Sequence, residues 1–566
     1  MAISDAGDES RASLLLSTVD GFVDYRGNPA VRPSTGGWRS AGLIICVEVA
    51  ERFAYFGILS NLITYLTGPL GESTAAAAAN VNAWDGSALL LPLLWGFVAD
   101  SFLGRFRTIL LASSLYILGL GLLTLSAMIP SLGSSDCKGA DSCPSQLQVI
   151  IFFCSLYLIA LAQGGFKPCV QAFGADQFDR HDPEECNSKS SFFNWWFFGS
   201  CAGTLVTLCI SNYIQDNLSW ALGFGIPCLA MVVALVIFLF GIRNYRFGSG
   251  REDRSALVRI GNVFVAAAKN WRIPDSAVAD AEESLGFLPH KSSQQFSFLN
   301  KALINPTYSC DTADVEEAKS VVRLVPIWVT CLVYAIVFGQ SNTFFTKQGA
   351  TMDRSITSGL DIPAATLQSF INIAVVIFIP IYDRAFIPIA RSFTGKPTGI
   401  TVLQKIGIGI SLSSLAMVIA ALVEMKRLEI AKDYGLVDSP DAIIPMKVWW
   451  LVPQYVFLGI SEVFAMVGLQ ELFYDQVPTE LRSVGLSLYL SIFGIGNFVS
   501  SFMISVIDRT TSGYGEGSWF GNNLNLGHLD YFYWLLAVLS SVGLAFYLHF
   551  AKSHIYNTPY HTHCKP

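Results

Sequence analysis

Apolar runs of about 20 residues, each closed by charged residues or by Gly, Pro and Asn, recur along almost the whole chain. They predict about twelve membrane-spanning helices in two groups of six. The first group lies near 42–69, 81–101, 106–130, 147–172, 191–212 and 219–242; the second near 322–346, 362–384, 399–424, 447–473, 484–507 and 529–551. The polar stretch between the groups carries Arg246, Arg251, Arg254, Arg259, Lys269, Arg272, Lys291, Lys301 and Lys319. An excess of Lys and Arg in a short loop marks the cytosolic side, and an even span count then puts both termini there as well. Within this stretch Ala256, Leu257, Ile260, Val263, Phe264 and Ala267 repeat at helical spacing. They predict an amphipathic helix on the membrane surface or against the cytosolic ends of the spans. The expected organisation is a cytosolic tail over 1–40, a first bundle over 41–243, a linker over 244–321, a second bundle over 322–551 and a short cytosolic tail over 552–566.

Composition sharpens this picture. The chain has 566 residues, of which 52% are hydrophobic and 14% charged, and its mean hydropathy of +0.47 excludes an ordinary soluble protein. The net charge of −7 is spread over many loops with no block of one sign, which argues against a nucleic-acid partner. No zinc-type spacing, nucleophile elbow or phosphate-cradling glycine loop is present, so an enzyme and a metal or organic cofactor are disfavoured. The first forty residues lack a basic start and a cleavage site, and read as a mobile tail rather than a signal peptide. Glu9 followed by Leu14 and Leu15 has the form of an acidic dileucine sorting signal, with a chance pairing as the alternative. Six of the twelve cysteines, Cys46, Cys154, Cys201, Cys209, Cys228 and Cys331, sit in apolar runs as small hydrophobes. Cys137 and Cys143 lie in a polar loop, as a candidate disulfide or two free thiols.

Candidate chemistry concentrates in the first span. Glu48, Glu51 and Arg52 interrupt an apolar helix at spacings that share one face. Each ionisable group at bilayer depth costs roughly 2.5–3.5 kcal/mol on insertion scales, so such groups face a protein interior or water. A carboxyl group whose arginine partner shifts can take up and release a proton; the alternative is a static buried ion pair that orients the span. Lys167, beside Pro168 in the fourth span, and Glu462, in the tenth, are isolated charges in apolar surroundings. Tyr55 and Phe56 fall one turn beyond the charged pair, while Gln340 and Asn342 end the seventh span, and all four could line a cavity. Asp100, Arg105 and Arg107 follow the second span, and Asp383, Arg384 and Arg391 follow the eighth. This recurrence of an acidic-basic loop suggests an internal repeat of the two halves.

These residues resemble the proton-coupled oligopeptide transporter family of the major facilitator superfamily, in its plant nitrate and peptide transporter branch. The resemblance rests on Glu48-Val49-Ala50-Glu51-Arg52, on Gln163-Gly164-Gly165-Phe166-Lys167-Pro168-Cys169, on Phe173-Gly174-Ala175-Asp176-Gln177-Phe178, on Phe192-Phe193-Asn194-Trp195, and on Pro326-Ile327-Trp328, Tyr382-Asp383-Arg384, Trp450-Leu451-Val452-Pro453-Gln454-Tyr455 and Leu529-Asp530-Tyr531-Phe532-Tyr533-Trp534. It implies an all-α membrane protein with the major facilitator fold and two six-helix bundles. The implied function is symport of a small anionic or zwitterionic solute, such as nitrate, a di- or tripeptide or an organic anion, with protons as the coupling ion and no other cofactor. A proton-independent facilitator and a membrane nutrient receptor are the alternatives. By resemblance Glu48 and Glu51 carry the proton, Arg52 pairs with them or receives an anion, and Lys167 bridges to Glu462 between the halves. Asp100, Arg105 and Arg107 form a cytosolic latch, and Thr108 stands where some relatives carry a regulatory phosphothreonine. Phe338 replaces a histidine that holds nitrate in one relative, and Phe197 and Cys201 replace a tyrosine and an asparagine of the peptide transporters. The expected setting is the plasma or vacuolar membrane, as a monomer or weak homodimer in the lipid bilayer.

Overall fold

An apolar run crossing a bilayer must satisfy its own backbone hydrogen bonds, and in the computed structural model these runs do so as helices. The structure describes residues 18–129, 145–179, 182–248, 256–272, 296–304, 311–357, 360–394, 400–440, 442–477, 482–512 and 518–553. Cys137, Cys143, Glu9, Leu14 and Leu15 lie outside them. Among the described residues, ten helical segments are long and apolar enough to cross a membrane. Two further long helices, α1 (Gly37–Leu59) and α2 (Thr74–Val98), are interrupted by polar groups: Glu48, Glu51 and Arg52 in α1, and Asn80, Asn82 and Asp85 in α2.

The chain divides into two compact units, Met1–Glu252 with Ser341–Asn372, and Asp253–Gln340 with Ile373–Pro566. In the first unit α1 and α2 are joined by α3 (Arg105–Met128), α4 (Gln146–Ala175), α5 (Pro183–Asn217) and α6 (Trp220–Phe240). The second unit contains the linker helix α7 (Ala256–Lys269), then α8 (Thr312–Gly339), α9 (Ser369–Ile381) from Ile373 onward, α10 (Val402–Asp433), α11 (Val452–Asp475), α12 (Arg482–Thr511) and α13 (Leu529–Ser553). Side-chain caps start several helices: the Ser73 hydroxyl accepts from the Ala76 amide, and Thr401 and Gln404 form a reciprocal capping box. Lipid offers little drive for one helix to seek another, so close approach rests on small residues. Gly164 and Gly165 sit under Leu91 and Trp95, Gly119 faces Ile159, and Gly409 faces Ala465. The Trp84 indole N–H, buried in the first unit, donates to the Leu156 carbonyl at 2.7 Å and ties α2 to α4.

The expected repeat is visible in the backbone. In both units the second of the successive long spans runs into a π-turn, Ala99–Leu103 after α2 and Tyr382–Phe386 after α9. These turns hold Asp100 and Asp383 at matching places. Gly104, at φ 75°, reverses the chain from the first turn into α3, a conformation that favours glycine.

Two expected boundaries are corrected. The N-terminal tail is structured from Thr18, where β1 (Thr18–Val23) pairs antiparallel with β2 (Pro29–Val31) and with β3 (Phe247–Gly248), beyond α6. Arg32 also pairs with Asp179 at 2.5 Å. The second bundle does not run unbroken over 322–551, because Ser341–Asn372 groups with the first unit. There the Gln368 amide donates to the Ser60 carbonyl at 3.0 Å, the Thr366 hydroxyl to the Leu208 carbonyl at 2.9 Å, and Lys347 to the Thr67 hydroxyl at 2.8 Å. The predicted amphipathic helix is α7. Its Arg259 reaches Asp314 and Glu317 of α8 at 3.6 and 3.4 Å, and Asn270 just beyond it donates to the Lys301 carbonyl at 2.8 Å.

The start of the expected linker is built into the first unit. Arg246 is 1% exposed; it donates to both Glu185 oxygens at 2.6 and 3.1 Å and to the Gln177 carbonyl at 3.1 Å. Burial works against the Glu185 charge, but the bonds from Arg246 and the Asp179 amide outweigh it and hold the carboxyl below its ordinary value of 4.5. A depressed acid contributes stability above its unfolded value and loses it as pH falls through the folded one. Removing the partner of a buried charge costs on the order of 3 kcal/mol. Glu185→Ala is therefore expected to lower the detergent-solubilised melting temperature clearly at pH 7, and the difference from wild type should shrink below pH 4, as followed by tryptophan fluorescence.

Candidate transport site

The first unit gathers its membrane-depth charges around α1. Glu48, Glu51 and Arg52 are 4%, 0% and 6% exposed. The Arg52 guanidinium lies 3.0 Å from Glu48 and 2.7 Å from Glu51, one arginine between two acids. The i, i+4 and i, i+1 positions reach a common partner because the guanidinium offers a planar fork of donors. Gly203 on α5 leaves room for this, since a Cβ there would press on the Val49 carbonyl and the Arg52 stem at 3.1 and 3.4 Å. Among the described residues no donor is well directed at Glu48 Oε2. The Tyr116 hydroxyl of α3 lies beside Glu51, and Lys167 of α4 stands within electrostatic reach of both acids.

The second unit shows what a finished ion pair looks like. Arg427 and Glu424, both 0% exposed, make two mutual hydrogen bonds at 2.6 and 2.8 Å, and Arg427 also donates to Asn525 at 2.7 Å and to the Leu524 carbonyl at 2.9 Å. Such a network fixes the end of α10 against the loop before α13. Around Glu48, Glu51 and Arg52 the charges lie as close, at 3.0 and 2.7 Å, with fewer directed hydrogen bonds.

Other expected residues fall as follows. Tyr55 is buried, stacks on Trp84 at 5.5 Å and donates its hydroxyl to Asp85. Sequence reasoning passed over Asp85; a lone acid within a membrane-length helix was the available signal. Phe56 is half-buried against the Tyr55 ring edge. In the second unit Glu462 is half-buried with Tyr334 and Tyr489 as electrostatic neighbours. Phe338 belongs to an aromatic group there, 6.3 Å from both Tyr334 and Phe493. Gln340 is wholly buried and donates to the Ile336 carbonyl and the Ser500 hydroxyl at 2.7 and 3.1 Å. Asn342 closes the same 3-10 turn and is half-buried.

Arg105 pairs with Asp176 at the end of α4, while Arg107 is exposed; Asp100 is placed on its π-turn. Thr108 is fully buried and its hydroxyl donates to the Gly104 carbonyl at 2.9 Å. That is the placement of a helix-start threonine, and a kinase would reach it only after this turn opens.

Two sets of membrane-length helices, one of them holding a buried ion cluster, fit a multi-pass membrane transporter. The profile PTR2, described as the POT family, matches residues 106–520, and the chain belongs to that family. It is 71% identical over 558 residues to Protein NRT1/ PTR FAMILY 5.10 of Arabidopsis thaliana, covering 98% of this chain and 99% of the relative. It is 60% identical over 565 residues to Protein NRT1/ PTR FAMILY 5.12 of the same plant, covering 99% and 100%. Its fold matches an auto-inhibited POT family peptide transporter with a TM-score of 0.70 at 21% identity, over 93% of this chain and 99% of that one. It also matches the POT family transporter PepTSo with a TM-score of 0.69 at 22% identity, over 91% and 98%. These matches show the major facilitator fold of about twelve spans and an NRT1/PTR-type transporter acting on small molecules.

An ammonium cannot form the two-acid fork of Arg52. Arg52→Lys is accordingly expected to insert and elute as a monodisperse peak, yet to lose about tenfold or more of uptake, measured with the probes described next.

Proposed function

We propose that the protein is a symporter that carries a small anionic or zwitterionic solute together with protons, alternately exposing its buried cluster to the two sides of a plasma or vacuolar membrane. The observation that supports this most directly is Arg52 held at 3.0 and 2.7 Å between Glu48 and Glu51, with Glu48 Oε2 lacking a directed donor among the described residues. A proton arriving on either acid weakens its hold on Arg52. The freed guanidinium can then meet an anion or a carboxylate, with Lys167 adding positive potential. Leaving of the anion restores the pair and expels the proton. In this scheme the proton gradient does work through one arginine with two competing partners, and no organic cofactor or metal takes part.

Nitrate, a dipeptide carboxylate and an organic acid all satisfy the charge requirement. Phe338, set among aromatic rings, supplies no protonatable donor, so a nitrate would be held through Arg52 and Lys167. Tracer uptake of nitrate, glycylglycine and malate into vesicles holding the purified protein tests the reading, with the outside at pH 5.5 and at pH 7.5. Uptake of one probe should rise severalfold with the inward proton gradient and collapse with a protonophore; gradient-independent uptake would favour a facilitator. Glu51→Gln should abolish gradient-driven accumulation while preserving exchange of internal for external probe, because a neutral amide cannot release a proton.

A further inference from the structure

Ser341–Asn372 follows the first span of the second half in sequence, yet it packs in the first unit. Its short helix Phe344–Ala350 meets Leu62–Thr67, the short helix that continues α1, and across that contact Lys347 donates to the Thr67 hydroxyl at 2.8 Å. The hydroxyl gives its own proton to the Ile63 carbonyl at 2.8 Å, so toward Lys347 it acts as an acceptor. Nearby, the Gln368 amide donates to the Thr346 hydroxyl and to the Ser60 carbonyl, both at 3.0 Å. None of these neighbours carries a charge.

Lys347 is half-buried, and among the described residues no carboxylate lies within ion-pair distance of its ammonium. Four arginines of the same unit are placed otherwise. Arg32, Arg52 and Arg246 reach carboxylates at 2.5, 2.7 and 2.6 Å, and Arg105 pairs with Asp176. Charges drawn out of bulk water are normally paired. An ammonium has three donors, and Thr67 occupies one of them; the other two suit the oxygens of an anion. We propose that Lys347, its ammonium oriented by the Thr67 hydroxyl, is a second binding site for the oxyanion group of the solute, a carboxylate or nitrate, met before Arg52 by a solute that enters from that end of the first unit.

This deepens the symport reading and rests on it for the class of ligand. The site is separate from the α1 cluster: at ~1.5 Å per residue, Thr67 lies roughly 20 Å beyond Arg52 along α1 and its continuation. Its work is capture. A fixed positive charge raises the local concentration of anions, and the point charge of one ammonium grips an oxyanion less firmly than the planar fork of Arg52. A solute held first by Lys347 therefore gains by moving on to the arginine. No covalent bond forms and no proton changes hands at Lys347.

Chemical protection of the wild-type chain tests this without relying on a variant. Pyridoxal phosphate, an anionic aldehyde that condenses with a lysine amine and is fixed by borohydride, is applied to the full chain in lipid nanodiscs, and labelling is read by peptide mass spectrometry. It should modify Lys347, and saturating nitrate or malate should lower that labelling severalfold while leaving the exposed Lys432 unaffected. Protection by malate alone assigns a carboxylate, and protection by nitrate alone assigns nitrate. No label at Lys347, or label that neither anion lowers, overturns the proposal. In the uptake assay Lys347→Met should raise KM severalfold more than it lowers kcat, and Lys347→Arg should restore most of the affinity. Thr67→Val should raise KM far less, because the charge remains; an equal rise would make Lys347 a structural tether and defeat the site. Gradient dependence reads the other claim separately. A gradient-driven wild type with unprotected Lys347 defeats only this site, whereas a wild type indifferent to the gradient but protected at Lys347 defeats symport and leaves the site standing.

Discussion

Two acids competing for one arginine inside an apolar helix is the constraint on which the first unit depends. Glu48, Glu51 and Arg52 cannot face lipid, so α1 must be surrounded on that side by protein. The neighbours supply it: Gly203 lets α5 approach, Tyr116 enters from α3 and Lys167 from α4. Burial of the charges follows from function, and the small residues around them follow from burial. Read in the opposite direction, a helix with these three residues has no stable place in a membrane unless such a bundle encloses it.

The two buried ion networks of this chain illustrate how stability and switching are separated. Glu424 and Arg427 are tied to each other, to Asn525 and to a backbone carbonyl, and the adjoining loop is anchored further by Asn525 and Asn523 on the Leu436, Ser439 and Val437 carbonyls. Breaking that network leaves several polar groups unpaired at once, so it resists rearrangement. The α1 cluster has short charge distances with few directed bonds. Fewer polar groups there would be stripped of a directed partner if one side chain moved.

Much of this was legible in the chain. Apolar run length located the spans, and charges inside one run located the buried ion cluster, because lipid makes both signals strong. The loops after the second and eighth spans likewise announced the repeated π-turns. What escaped has physical reasons. Strand β1 lies between β2 and β3, the latter more than two hundred residues away, and these short segments carry no periodic signal. Ser341–Asn372 follows an apolar span of the second half, yet its polar side chains find partners at Ser60, Thr67 and Leu208, which hydropathy cannot reveal. Asp85 was masked by its surroundings: one acid among alanines and asparagines reads as a weakly polar span, and only the folded unit brings it to Tyr55.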